Sequence, residues 1–294
     1  MSGLIVSPAV KDTETMNQPE VRPRVAFQGE RGAFSEEAAV KLLGEHIQLV
    51  PRPTFESLFA AIDQGVADYL LAPVENTLAG SVHRSYDLLL QSSLNICGEV
   101  VIPIEHFLIG CSGASFDTIK TVESHPVALA QCERFFATHP QLQRIATEDT
   151  AGSVARVVEQ GNQTRAAIAG MRAANLCGGI VLREHLEDHP ENYTRFVLLT
   201  AAESISPGAN KLSLVFKLPH QGGALYHALE PFARRGIDLV KIESRPIQGR
   251  PWEYYFYLDL QASLDDAEVI KALAELDERA TDVRILGCYR AATG

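Results

Sequence analysis

From Arg24 onward, short apolar runs alternate with stretches whose apolar residues recur at helical spacing. RVAFQ, DYLLAPV and LNICGEVVIP read as strands, and SEEAAVKLL, TFESLFAAI and SVHRSYDLLLQ as the helices between them. Ser35 stands where it would cap the first helix, with Glu36 and Glu37 in its first turn. In the second helix Phe55, Leu58, Phe59 and Ile62 share one face. The alternation then repeats, with IKTVES, LQRIAT and RAAIAG as strands, PVALAQCERFFAT, TAGSVARVVEQ and MRAANLCG as helices, and YTRFVLLT as a returning strand. This rhythm predicts parallel sheets of the α/β class in two lobes facing a cleft.

ESISPGAN, at 203–210, is punctuated by Pro207 and Gly208 and reads as a linker. Beyond it the rhythm changes. KLSLVFKL alternates as a strand, with Leu212, Leu214, Phe216 and Leu218 on one face. GALYHALEPFARR reads as a helix through Leu225, Leu229 and Phe232, with a possible kink at Pro231. IDLVKIESRPI and WEYYFYLDLQ form strands around a turn at Gly249, then comes a helix with Val269, Ile270, Leu273 and Leu276 inward, and DVRILGCY is a last strand. The order βαββαβ is a ferredoxin-like plan. The expected division is a disordered leader at 1–22, a first domain at 23–202, the linker, and a second domain at 211–290. Within the first domain, one lobe takes about 23–101 and 185–202, and the other about 102–184.

Composition narrows the partners. Of 294 residues 46% are hydrophobic, enough for two buried cores, and the net charge of −11 disfavours nucleic acid and anionic membrane surfaces. No apolar run is long enough to span a bilayer. The five cysteines are widely spaced with no CxxC pair, which signals neither zinc nor a disulfide framework and suits a reducing, cytoplasmic setting. The first twenty residues lack the basic start and long apolar centre of a secretion signal.

Polar motifs fall at strand ends and helix starts, where α/β proteins hold ligands. They are GERGAFS (Gly29 to Ser35), PVENTLAG (Pro73 to Gly80), ESHP from Glu123 with Gln131 further on, and NYTRF from Asn192. With AAIAG…AANLCG they resemble, in order and spacing, the prephenate dehydratase family, while GALYHALEPFARRGIDLVKIESRP resembles the ACT regulatory domain found on these enzymes. The resemblance covers about residues 24–290. One departure is Val127, where the family often has Gln after SHP, so that position receives no polar role.

The resemblance implies conversion of prephenate to phenylpyruvate, carbon dioxide and water, driven by aromatisation. The ring itself accepts the electrons, so no cofactor and no metal is expected. Hydroxide is a poor leaving group and calls for a donor facing it. The dianionic substrate calls for N–H groups, a helix N-terminus and a guanidinium.

The resemblance gives Thr194 the contact with the leaving oxygen, whereas its residue type alone fits a strand threonine satisfied locally. Glu75 and Asn76 complete the catalytic candidates: Asn76 to hold a carboxylate or carbonyl, Glu75 to orient it or polarise Thr194, with a plain turn as the alternative. Arg195 is a candidate carboxylate clamp or else a strand-edge ion pair, and strand alternation sets it opposite Thr194. Ser124 is a candidate ligand contact or a helix cap. Gln131, seven residues later on the same helix, reaches the cleft or stays on the surface. Gly32 and Ser35 belong to a loop expected to approach the substrate. In the second domain the resemblance places Gly223, Ala224, Leu225, Glu243, Ser244, Arg245 and Pro246 at an L-phenylalanine site between paired ACT domains. That implies a homodimer or homotetramer, while the plainer alternative is a module that only drives dimerisation. Rival readings of the whole are an arogenate dehydratase, or a non-catalytic sensor with the two lobes of a periplasmic binding protein.

Overall fold

The computed structural model describes residues 22–203 and 205–292; the leader expected at 1–22 lies, except for its last residue, outside them. The first lobe opens with β1 (Arg24–Gln28), α1 (Phe34–Leu43), β2 (Gln48–Arg52), α2 (Phe55–Asp63), β3 (Tyr69–Asn76), the short β4 (Gly80–Ser81), α3 (His83–Gln91) and β5 (Asn95–Pro103). The chain then crosses into the second lobe: β6 (Phe107–Gly110), β7 (Thr121–Ser124), α4 (Pro126–Ala130), α5 (Glu133–Thr138), β8 (Gln143–Ala146), α6 (Thr150–Gln160), β9 (Arg165–Ala169), α7 (Met171–Cys177) and β10 (Ile180–Arg183). It returns as β11 (Tyr193–Thr200). The last part holds β12 (Lys211–Lys217), α8 (Ala224–Arg234), β13 (Asp238–Pro246), β14 (Tyr254–Gln261), α9 (Ala267–Asp277) and β15 (Thr281–Tyr289), the βαββαβ order.

Both lobe sheets are mixed rather than parallel. The first runs β2-β1-β3-β11-β5, with β1 parallel to its neighbours and β11 antiparallel to β3 and β5. The reason is topological: β5 leaves the lobe at the edge where β11 re-enters, so the two run in opposite directions. The second sheet, β10-β6-β9-β7-β8, has antiparallel β6 and β10, short strands with no alternation for the sequence to show. Helix α2 begins at Thr54, whose side chain accepts from the Ser57 N–H in a capping box, and buries Leu58 and Phe59. Two helix expectations fail. The N-cap of α1 is Ala33, with Ser35 buried as the second residue of the helix, and the stretch read as one helix at PVALAQCERFFAT is two, broken at Gln131 and Cys132.

The third sheet, β13-β14-β12-β15, is fully antiparallel and has two occupied faces. Leu212, Leu214, Phe216 and Leu218 pack under α8 and α9 with Phe232, Val269 and Leu276; Ile270, expected inward, is exposed. The alternate residues face the first lobe: Val215, Tyr257, Leu286 and Tyr289 share one core with Tyr86, Leu89, Leu94 and Ile96. Of the stretch expected as a linker, residues 205–210 are docked onto this seam, with the Ser206 hydroxyl donating to the Cys97 carbonyl.

The tightest point of the seam is Gly287 on β15, where a Cβ would stand 2.1 Å from the Ile96 carbonyl oxygen on β5. Backbone cannot yield there as a side-chain tip would. Gly287→Ala is therefore expected to destabilise the chain by about 1–3 kcal/mol, the usual cost of overpacking, read as a lower urea midpoint. An unchanged midpoint would show that the two domains are not in contact at β15.

Candidate functional site

Two segments join the lobes, 104–106 outward and 184–192 back, and the Ile104 N–H binds the Asn192 carbonyl at 2.7 Å. Beside them, at the end of β3, Asn76 lies opposite Thr194 of β11. The Asn76 side chain is enclosed by the protein. Its Oδ1 accepts from the Leu78 N–H at 3.0 Å and the Ala79 N–H at 2.7 Å, which fixes which end of the amide is oxygen. Its Nδ2 then donates toward Asn192 Oδ1 at 2.8 Å, the Tyr193 carbonyl at 3.0 Å and Thr194 Oγ1 at 2.9 Å. Among the described residues this amide is the sole hydrogen-bond partner of the Thr194 hydroxyl. Because the hydroxyl oxygen receives that bond, its own proton is left to donate elsewhere. Asn76 and Thr194 are both nearly buried, 9% and 8% exposed.

The lobes also touch directly. Gly32, at φ +92°, sits so close to α7 that a Cβ would lie 2.8 Å from the Ala173 Cα. Glu36, fully buried on α1, accepts from the Gly32 N–H at 3.0 Å, from Arg31 at 2.8 Å and from Arg172 of the other lobe at 2.9 Å. Burial pushes the Glu36 carboxyl up, but these donors outweigh it and hold its pKa below the usual range. Gly32 thus lies at a lobe–lobe contact organised by Glu36, with Ser35 buried next to Glu36 on α1.

Ser124 is wholly buried at the end of β7, and its hydroxyl donates to the Ile168 carbonyl at 2.6 Å. It caps no helix; that place belongs to His125, whose Nδ1 accepts from the Val127 N–H. Gln131 follows α4 as its C-cap rather than lying along it, and its Oε1 meets His106 Nε2 at 2.8 Å on the outward crossing. Gln131 therefore reaches the junction of the lobes, while Ser124 makes no bond to Asn76 or Thr194.

Glu75 and Arg195 turn the other way. They are register partners one residue from Asn76 and Thr194, so strand alternation sends them to the face that meets the third sheet. Arg195 donates to Asp259 at 2.7 Å and to Glu99 at 3.2 Å, and its Nε lies 3.4 Å from Glu75 as an ion pair without hydrogen-bond geometry. Burial pulls the Arg195 guanidinium toward neutrality, but Asp259, among others, more than offsets it. Glu75 is held by Lys241 of β13 at 2.8 Å. Neither side chain faces the cleft, which corrects the expectation of a substrate clamp at Arg195 and a catalytic carboxyl at Glu75.

The candidate effector residues divide in the same manner. Glu243 accepts from the Ser81 hydroxyl at 2.6 Å and Arg245 pairs with Asp87 at 3.0 Å, both on the first lobe. Ser244 and Pro246 alternate away and are exposed. Gly223 is the N-cap of α8 at φ +83°, Ala224 opens that helix, and Leu225 packs on the core beneath it.

Four residues escaped sequence reasoning: Asn192, His106, Lys241 and Asp259. Asn192 had a signal, since it stands two positions before Thr194 and period-two arithmetic puts both on one side. The others are polar residues in ordinary strand or loop context. Among the described residues no group of three or more His, Cys, Asp or Glu side chains is placed to hold a metal ion. No helix among them is long and apolar enough to cross a membrane.

Comparison with known proteins adds the following. The family model described as prephenate dehydratase matches residues 25–204, and that of the ACT domain matches 213–278. The chain is 41% identical over 280 residues to arogenate dehydratase/prephenate dehydratase 2, chloroplastic, of Arabidopsis thaliana, spanning 91% of this chain and 73% of that one. A solved prephenate dehydratase in complex with L-Phe from Arthrobacter aurescens is 31% identical with a TM-score of 0.83, covering 91% of this chain and 89% of the other. A structure described as GqqA, a novel type of quorum quenching acylase, is 32% identical with a TM-score of 0.83, covering 91% and 98%.

His106 supplies a pH test of the lobe junction. Burial pulls its pKa below 6.5, against smaller opposing effects of Gln131 and Glu187. On acidification the unfolded chain therefore takes up this proton first, so the stabilisation is complete above about pH 6.5 and fades below it. The stability deficit of His106→Gln relative to the wild type, measured in urea, is expected to shrink between about pH 7.5 and about pH 5.5. A deficit independent of pH would mean that His106 is not held neutral.

Proposed function

We propose that this chain, which belongs to the prephenate dehydratase family and carries an ACT domain, converts prephenate to phenylpyruvate, carbon dioxide and water under inhibition by L-phenylalanine. The catalytic unit is assigned to 23–202 and the regulatory one to 211–290. The observation that carries the reading is the Thr194 hydroxyl, held by Asn76 with its proton free at the junction of two lobes. In the reaction the electron pair of the breaking carbon–carboxylate bond enters the ring, and the carbon–oxygen bond opposite breaks, its pair departing with the oxygen as hydroxide. One proton completes the departing hydroxide as water. Thr194 donates a hydrogen bond to that oxygen as charge develops on it; solvent completes the proton count.

The same geometry disfavours acyl transfer, the activity named for one structural neighbour. A nucleophilic threonine needs a base on its proton, and among the described residues no His, Asp or Glu side chain bonds Thr194. Arogenate differs from prephenate only by an ammonium in place of the keto group, so competing-substrate kinetics separate those two.

Control by L-phenylalanine is supported by the seam. Glu75 and Arg195, back to back with Asn76 and Thr194, are bonded to Lys241 and Asp259 of the ACT sheet. A shift of β13 on effector binding therefore bears on the two strands that carry the site. A second copy of the chain is supported by the outer edge of β13, where Val240 and Ile242 are exposed.

Thr194→Val keeps the shape and removes the proton. Turnover of prephenate is expected to fall by about 10²–10⁴ with KM changed only a few-fold; near-normal turnover would remove Thr194 from the chemistry. Deleting the ACT domain would expose the first-lobe core around Tyr86, Leu89, Leu94 and Ile96, so a point change tests control better. Lys241→Ala is expected to leave uninhibited turnover within a few-fold while the L-phenylalanine concentration for half inhibition rises roughly tenfold, a coupling loss of about 1.4 kcal/mol. Undiminished inhibition would show that control does not pass through this contact.

A further inference from the structure

Asn76 has no capacity left for a ligand. Both lone-pair directions of its oxygen and both protons of its nitrogen meet the protein. The amide contact that the substrate requires must come from elsewhere. Resting on the reading above, we infer that Asn192 supplies it: its side-chain N–H group binds a carboxylate oxygen of the substrate beside the Thr194 hydroxyl.

Two backbone N–H groups fix Asn76 with its nitrogen toward Asn192, at 2.8 Å from Oδ1. The Asn192 oxygen is thereby turned to Asn76, and its nitrogen must point the other way. That nitrogen is buried, on a residue only 1% exposed, and has no partner among the described residues. A buried donor without an acceptor is rare in folded proteins and strongly unfavourable. Most such groups relax by rotating, but rotation of Asn192 would break the bond from Asn76 to its Oδ1, and its backbone is pinned. Its carbonyl takes the Ile104 N–H at 2.7 Å, while the next residue is bound both ways to Thr77: the Tyr193 N–H donates to Thr77 Oγ1 and the Thr77 N–H donates to the Tyr193 carbonyl, each at 2.9 Å. On the other side the Thr77 hydroxyl donates to the Glu191 carbonyl at 2.7 Å.

A rigid donor held ready at no reorganisation cost is what substrate positioning asks of a side chain. Asn192 Oδ1 and Thr194 Oγ1 accept from the same Asn76 nitrogen, so the two side chains that carry free donors are neighbours. Their natural complement is an acceptor-rich molecule, and a group with acceptors alone, a carboxylate, suits Nδ2. Asn192 also sits on the returning crossing between the lobes, so the inference requires a turn of the lobes about that segment to open the sealed donor.

A purely structural Asn192, serving only to hold Asn76, is separated by Asn192→Asp. One carboxylate oxygen still accepts from Asn76, while the other replaces the donor with a like charge facing the substrate. We expect KM for prephenate to rise at least tenfold near neutral pH with a smaller change in kcat. The wild-type-to-variant ratio of kcat/KM should then narrow as pH falls toward about 5, where protonation restores a donor. An unchanged KM, or a loss independent of pH, overturns the inference. Should Asn192→Asp fail to fold, a crystal structure of the wild type with phenylpyruvate decides: a carboxylate oxygen within hydrogen-bond distance of Nδ2 supports the inference, and water or protein alone there overturns it. The wild type separates the two failures, since absence of wild-type turnover on prephenate sinks the dehydratase reading, whereas turnover with an indifferent Asn192→Asp sinks this assignment alone.

Discussion

The antiparallel pairing of β3 with β11, which sets Asn76 opposite Thr194 and Glu75 opposite Arg195, is the constraint on which the rest of the molecule depends. Because side chains alternate across a strand, one register delivers two unlike pairs to two unlike places. The uncharged pair meets at the lobe junction and builds a rigid hydrogen-bonded group. The charged pair emerges against the ACT sheet and is neutralised there. A slip of one residue in β11 would turn Arg195 toward Asn76 and Thr194 toward the seam, parting Arg195 from Glu75 and leaving Asp259 without its guanidinium.

The seam is unusual in combining apolar and ionic parts. Val215, Tyr257, Leu286 and Tyr289 give it a core continuous with that of the first lobe. Within it lie Arg195, Glu99, Asp259 and Lys211, with the Ser213 hydroxyl bonded to Asp259 at 2.6 Å and to the Tyr289 phenol at 2.8 Å. Buried ion pairs are weak sources of net stability, since desolvation offsets much of their attraction. What such a network does well is define one arrangement, because any displacement leaves a charge uncompensated. The apolar contacts hold the two domains together, and the ionic ones select how they sit.

Much of this was legible in the chain itself. The βαββαβ order of the last domain, the amphipathic α2 and the alternation at Leu212–Leu218 all follow from periodicity, which is a local property. The mixed sheets did not follow, because the direction of β11 is set by where the chain re-enters the lobe, and β6 and β10 are too short to alternate. At the site, residue type does not tell which face of a strand a side chain takes. Thr194 and Asn76 meet as their motifs suggest; Arg195 and Glu75, equally suggestive as types, point away. Ser35 lost its capping place to Ala33 because the preceding loop is pinned by the buried Glu36, a tertiary effect that no window of sequence contains. Asn192 was within reach of simple alternation, but the eye follows the charged residue beside Thr194 and passes over the amide before it.

The place of β11 at the heart of the first sheet has a consequence for synthesis. β3 and β5 never pair with each other; each waits for β11, which follows the entire second lobe in the chain. On the ribosome, the second lobe emerges as one uninterrupted stretch and can close its own sheet, while the earlier half-sheet stands with two open edges until residue 200 clears the exit tunnel. That half-sheet carries Leu, Val and aromatic residues, so the nascent chain is exposed to aggregation through this interval, and dependence on chaperones should be concentrated there.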